Sequence, residues 1–183
     1  MSKKIMFSDA FGLTKAVIEG RKTMTRRIAK KQDIRESLIL GKNILDYSRY
    51  KIGEVVAVAQ SYQSLGFKAI EDDGFVYYEW CGCAGWNNKM FVKADFMQNR
   101  IRIIDIKFEK LQEISNEDCL KEGVIKGNFR DFPNSMYYPY KDCKDTEVTW
   151  NAKSAFKILF EKVSGKNTWD QNPYVFAYTF ELI

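Results

Sequence analysis

The run "NRIRIIDIKFEKL" at residues 99–111 constrains the fold more than any other stretch of this chain. Its apolar positions alternate with polar ones as they do on a strand, which places Ile101, Ile103, Ile106 and Phe108 inward. A strand of that length needs neighbours to satisfy its backbone, and the chain offers several. "KKIMF" (3–7), "KTMTRRI" (22–28), "GEVVAVAQSY" (53–62), "GFVYYEW" (74–80) and "NPYVFAYTFELI" (172–183) all read as strands, the third entered through a glycine turn and the fourth through "EDDG".

Helical spacing is found in three places. "DAFGLTKAVIEG" sets Ala10, Leu13, Ala16 and Val17 on one side, with Ser8 or Asp9 as the cap and Gly20 as the stop. "SNEDCLKEG" (115–123) has Ser115 followed three residues later by Asp118 and ends at Gly123. "WNAKSAFKILFEKVSG" (150–165) is amphipathic, with Ala152, Ala155, Phe156, Leu159 and Phe160 together. Five or six strands and three helices that do not alternate as βαβ units indicate an α+β fold built on a small β-barrel, with helices at about 9–19 and 150–164 on its outside. The length fits one domain spanning 1–183. Residues 29–51, with a short helix, read as an insertion, and 128–148 as an irregular, tyrosine-rich loop.

Composition narrows the chemistry. The chain contains no histidine, so any catalytic base must be a carboxylate, a lysine or a phenol, and metal sites are limited to thiolates and carboxylates. The four cysteines, Cys81, Cys83, Cys119 and Cys143, lack the paired knuckles of structural zinc and read as reduced thiols. No cofactor motif stands out. There is no apolar run of ~18 residues for a membrane span and no apolar stretch of a signal peptide, so the expected location is cytoplasmic and the expected partners do not include a membrane.

The net charge of +5 is unevenly placed. Residues 1–53 hold 13 Lys/Arg against 5 Asp/Glu, a bias that suggests a positive face and an anionic partner such as nucleic acid or a nucleotide. It peaks in "GRKTMTRRI" (20–28), where Arg21, Lys22, Arg26 and Arg27 surround two threonines. On a strand, Met24 and Ile28 share one face and Thr23, Thr25 and Arg27 the other. If Met24 and Ile28 fill the core, Thr25 and Arg27 look into a cleft. Lys22 reaches the side of Thr25 only if Gly20 and Arg21 turn the chain before the strand begins.

"FSDAFGLTKAVIEGRKTMTRRI", "IGEVVAVAQSY", "IRIIDIKFEKLQEISNEDCLKEGV" and "FKILFEKVSGKNTWDQNPYVFAYTFEL" together resemble the ASCH family, PUA-like β-barrels of bacteria and phages. The "W-x-x-NP-x-V" strand, Trp169 to Val175, is similar to that of the phage-associated members. The resemblance leaves out 29–51, 64–98 and 128–148. Gln60 stands where the second strand of such proteins often ends in Glu, so no role is carried over for that carboxylate.

The resemblance implies binding of RNA or of a modified nucleoside. Some small bacterial members are amidohydrolases that remove an acyl group from N4-acetylcytidine with a Lys, a Thr and a Glu, and another is a ribonuclease. Carried over by motif, the trio is Lys22, Thr25 and Glu122, which the resemblance implies share one pocket. Lys22 then acts as base, its proton loosened by Arg21, Arg26, Arg27 and burial, Thr25 as nucleophile, and Glu122 either orients Lys22 or handles the leaving amine's proton. The alternative is a structural anchor in which Lys22 and Arg27 pair with acids. Nucleic-acid contacts are assigned to Arg21, Lys22, Arg26, Arg27, Trp86 and Lys89. Tyr77, Tyr78, Trp80 and Trp86 are either base-stacking platforms or core, and "GWNNKMF" (85–91) is either a loop over the cleft or a polar turn.

Overall fold

The computed structural model of the protein describes residues 3–66, 69–72, 75–78, 84–129 and 132–183, with 69–72, 75–78, 129 and 132–135 described by backbone alone. The elements run β1 (Lys4–Ile5), α1 (Leu13–Ile18), β2 (Met24–Ile28), α2 (Lys31–Leu40), β3 (Val55–Val58), β4 (Ala69–Asp72), β5 (Phe75–Tyr78), β6 (Arg100–Lys110), α3 (Asn116–Lys121), β7 (Ile125–Phe129), β8 (Phe132–Tyr138), α4 (Ala152–Ser164), α5 (Thr168–Gln171) and β9 (Tyr174–Leu182). The class is α+β. Among the described residues no helix is long and apolar enough to cross a membrane.

One mixed sheet, in the order β1-β3-β6-β9-β2, organises the chain. β1 runs parallel to β3, and the other three pairings are antiparallel. β4–β5 and β7–β8 are separate two-stranded antiparallel ladders. The five-stranded ladder stays open among the described residues, so the expected closed barrel is replaced by a sheet with β1 and β2 as its two edges. A cause is visible in β1, which is two residues long and offers too little backbone for a second ladder. The edges nevertheless face each other: the Arg27 guanidinium on β2 donates to the Met6 carbonyl just past β1. A side chain spans the seam where backbone pairing would close a barrel.

The long strand is as the alternation predicts, with one refinement. Ile101 and Ile103 are fully buried and Ile106 nearly so, although odd and even positions of a regular strand point to opposite faces. The register against β9 shifts between Ile103 and Asp105, and this bulge moves the inward positions from odd to even numbers. β3 is buried on both faces: Val56 and Val58 join the main core with Phe156, Tyr178 and Phe180, while Ala57 and Ala59 join a second cluster with Tyr62, Val92 and Met97.

Three expectations are corrected. Residues 128–148 are not an irregular loop throughout, because β7 and β8 pair there. α1 begins at Leu13 behind Gly12, whose φ of 63° makes the turn, and neither Ser8 nor Asp9 caps it through a side chain. Ile28 is 44% exposed rather than core. The 29–51 insertion is docked on the body: the Tyr50 hydroxyl donates to the Lys4 carbonyl at 3.1 Å, and the Arg49 backbone N–H donates to the Tyr178 hydroxyl at 3.1 Å.

Candidate functional site

The turn that the sequence requires before β2 is present. Gly20 adopts φ 72°, the left-handed conformation that side chains resist. Its N–H returns to the Val17 carbonyl and that of Lys22 to Ala16, both at 2.9 Å. The chain folds back at the end of α1, and the Lys22 side chain is delivered inward instead of following the strand alternation. A second helix end supplies the acid. Ser115 caps α3 by accepting from Asp118 N–H, Glu122 closes the helix, and Gly123 leaves it at φ 107°. The Thr23 N–H donates to the Lys121 carbonyl at 2.9 Å, which ties α3 to the start of β2.

Two helix ends thus meet beside the sheet edge. Lys22 Nζ donates to Glu122 Oε2 at 2.7 Å and to the Glu122 carbonyl at 2.6 Å, and both side chains are buried. The other carboxylate oxygen of Glu122 faces Arg26 at 3.3 Å. Arg26 also binds Glu109 of β6 at 2.6 Å and Asp118 of α3 at 3.0 Å, and its guanidinium is wholly excluded from solvent. Burial acts against the Arg26 charge, but the carboxylates of Glu122, Glu109 and Asp118 outweigh it and raise its pKa. At Lys22 the balance is reversed. Burial is the largest influence and lowers the pKa, the Glu122 carboxylate opposes, and Arg27 and Arg26 add to the lowering. Lys22 therefore holds its proton less tightly than a free lysine while remaining tethered to Glu122.

A cavity of about 430 Å³ opens onto this cluster. Lys22, Thr25, Arg26, Arg27 and Glu122 give its lining a polar part, and Phe156, Leu159, Phe160 and Val163 of α4 give it an apolar part. The Phe7 ring lies between Lys22 and Arg27, with the two cationic groups 5.8 and 5.7 Å from its centroid. Two polar groups lining this cavity have hydrogen-bonding capacity to spare. An ammonium has three donors; Lys22 uses two on Glu122, and the third has no acceptor among the described residues. Thr25, 5% exposed, makes no side-chain hydrogen bond among the described residues. A ligand acceptor placed here would meet an ammonium and a hydroxyl against an apolar backing.

The structure therefore brings together Lys22, Thr25, Glu122, Arg26 and Arg27, and leaves three assigned contact residues elsewhere. Arg21 is exposed, pairs with Glu19 at 2.6 Å and lines a separate depression beside Tyr140. Lys89 is buried: it donates to the Phe7 carbonyl and to Thr14 Oγ1, and pairs with Asp9 at 2.7 Å, so it fastens the loop before α1. Trp86 packs against the second core cluster. Arg26 is surrounded by carboxylates and has no face turned to solvent. Tyr77, Tyr78, Trp80, Cys81 and Cys83 lie outside what the structure describes of side chains. Among the described residues no group of His, Cys, Asp and Glu could hold a metal ion. Sequence reasoning missed Glu109 and Asp118, because acids on β6 and α3 carry no local mark of a partner on β2. It also missed α4 as the cavity wall, since its apolar face reads as core.

No known protein-family profile matches the chain, and no curated protein matches it. Among solved structures, protein EF3133 from Enterococcus faecalis V583, assigned to the family DUF984, is similar over all of this chain and 81% of its own. The identity is 12% and the TM-score 0.46, too low to carry an argument about the site.

Proposed function

We propose that the cavity holds a nucleoside, free or within RNA, and that the protein is an ASCH-type, PUA-like binding protein. The observation that carries this reading is the pair of polar groups with bonding capacity to spare, the third Lys22 donor and the Thr25 hydroxyl, in one cavity with the apolar side chains of α4. That combination suits a flat heterocycle with a polar edge: the rings of Phe7, Phe156 and Phe160 take the faces, and Lys22 and Thr25 take an acceptor. Calorimetric titration with the four ribonucleosides and N4-acetylcytidine tests it. Saturable binding that weakens on Thr25→Ala supports the reading, and no binding of any nucleoside overturns it.

A second reading is favoured by the lowered pKa of Lys22. An amidohydrolase acting on an acylated cytidine would use the neutral Lys22 amine to accept the Thr25 proton as Oγ1 attacks the acyl carbonyl. Collapse of the adduct breaks the C–N bond, the leaving amine takes a proton from the Lys22 ammonium, and water then hydrolyses the threonyl ester. Glu122 orients Lys22 throughout. Mass detection of cytidine and acetate from N4-acetylcytidine separates the two readings. Turnover lost in Thr25→Ala marks the enzyme, and binding without turnover marks the binding protein.

A further inference from the structure

A second cavity, of about 500 Å³, adjoins the first, and Met6, Arg27 and Ile28 line both. Its far side is built by the 29–51 insertion, through Lys30, Asp33, Tyr47, Arg49 and Tyr50. The cations in this wall differ from those around Glu122. Lys22 and Arg26 are matched by carboxylates within 3.3 Å. Among the described residues Arg27, Lys30 and Arg49 have no carboxylate within ion-pair distance, and the one acid lining the cavity is Asp33. Lys4, the fourth cation there, is already engaged by the carbonyls of Lys89, Met90 and Val92.

The contrast is sharpest between adjacent residues. Burial lowers the pKa of Arg27 and Arg49 adds to it against the opposing Tyr50, Glu122 and Tyr178, whereas the surrounding carboxylates raise that of Arg26. Arg27 spends one donor on the Met6 carbonyl; an arginine has five. The Arg49 guanidinium rests 5.7 Å from the Tyr50 ring. Lys30 is also the N-cap of α2 and offers no side-chain acceptor to the helix end. Together these groups form a pocket with excess positive charge and arginine forks, the chemistry that recognises a phosphate.

We infer that the second cavity is a phosphate subsite, so that the ligand of the seam is a nucleotide unit, its base in the first cavity and its phosphate held by Arg27, Lys30 and Arg49. This rests on the nucleoside reading of the first cavity. The phosphate comes either from a free nucleotide or from an RNA backbone.

The test titrates the wild-type protein with cytidine, N4-acetylcytidine, their 5′-monophosphates and a short single-stranded RNA of the same base, at about 50 and 200 mM salt. The phosphorylated probes bind roughly tenfold or more tightly than the nucleosides, and the advantage shrinks at the higher salt. Lys30→Ala and Arg49→Ala, at two exposed positions, remove that advantage and leave nucleoside affinity unchanged. A gain with the mononucleotide identifies a free nucleotide as the source, and a gain with the RNA alone identifies the chain. Equal affinity for nucleoside and phosphorylated probes overturns the subsite and leaves the nucleoside reading standing. Phosphate-dependent binding that is sensitive to Arg49→Ala but not to Thr25→Ala upholds the subsite and ends the nucleoside reading. Absence of binding by every probe overturns both.

Discussion

Replacing Arg26 with alanine removes a cation that sits, with no solvent contact, among three carboxylates. The loss is not three ion pairs. Glu122 keeps Lys22 at 2.7 Å, and Asp118 keeps Lys121 at 3.5 Å. Glu109, 19% exposed, has no other cation within ion-pair distance among the described residues. The dominant cost is therefore one uncompensated, mostly buried carboxylate, about 3–5 kcal/mol. For a domain of this length that lowers the melting temperature by roughly 6–20 °C. Urea unfolding followed by fluorescence measures it, with an unchanged m-value confirming that the native and unfolded states are the same. Arg49→Ala, on an exposed cation without a carboxylate partner, is the control and shifts stability by no more than about 0.5 kcal/mol. A double-mutant cycle of Arg26→Ala with Glu109→Gln gives a coupling energy of about 1–3 kcal/mol. An Arg26→Ala loss below about 1 kcal/mol, the range of exposed ion pairs, would refute the assignment of Arg26 as a structural cation.

Three further outcomes follow from the site. Gly123→Ala forces a side chain onto φ 107° and sets its Cβ 3.3 Å from Leu13 Cδ2 and 3.7 Å from Lys22 Cδ; it costs about 1–3 kcal/mol by urea titration and weakens nucleoside binding by displacing Lys22. If the acyl-nucleoside is turned over, kcat/KM rises with pH through a midpoint below the ordinary lysine range, because the neutral amine is the active form and burial lowers its pKa; Arg27→Ala removes a cation and moves that limb to higher pH. A limb that stays in place in the variant excludes Lys22 as the base. Cys119 is fully buried with its thiol pushed up to about 12, so iodoacetamide at pH 8 leaves it unmodified in the native protein and alkylates it after denaturation, as mass spectrometry reads.

Legibility in the sequence followed locality. The alternation of β6 is a period-two signal, and the one feature it hides is the bulge that lets Ile103 and Ile106 share an interior. Gly20 announced its turn because only a left-handed residue brings Lys22 to the side of Thr25. The β7–β8 hairpin did not read as strands, since Gly127, Asn128, Pro133 and Asn134 interrupt any alternation and Pro removes a ladder donor. The open seam was equally hidden: whether a sheet closes depends on edge-strand length and on a contact between residues 6 and 27, neither of which periodicity reports. The charge bias of the first 53 residues was visible, but not its division into cations consumed by Glu109, Asp118 and Glu122 and cations left over.

Lys22 and Glu122 stand 100 residues apart, and among the described residues β2 finds its ladder partner in β9 alone. Assembly of the pocket is consequently tied to the order of synthesis. Met24–Ile28 leaves the ribosome with no strand to join until residues 174–182 have been made, an interval of roughly 8–30 s at ordinary translation rates. When it arrives, β9 docks on the free edge of β6 and offers its other edge to β2, and so ends between the two. For that interval the nascent chain carries an unpaired strand edge, a state suited to chaperone capture. A chain stalled before Tyr174 is expected to protect the amides of β3 and β6 from exchange while those of β2 remain open.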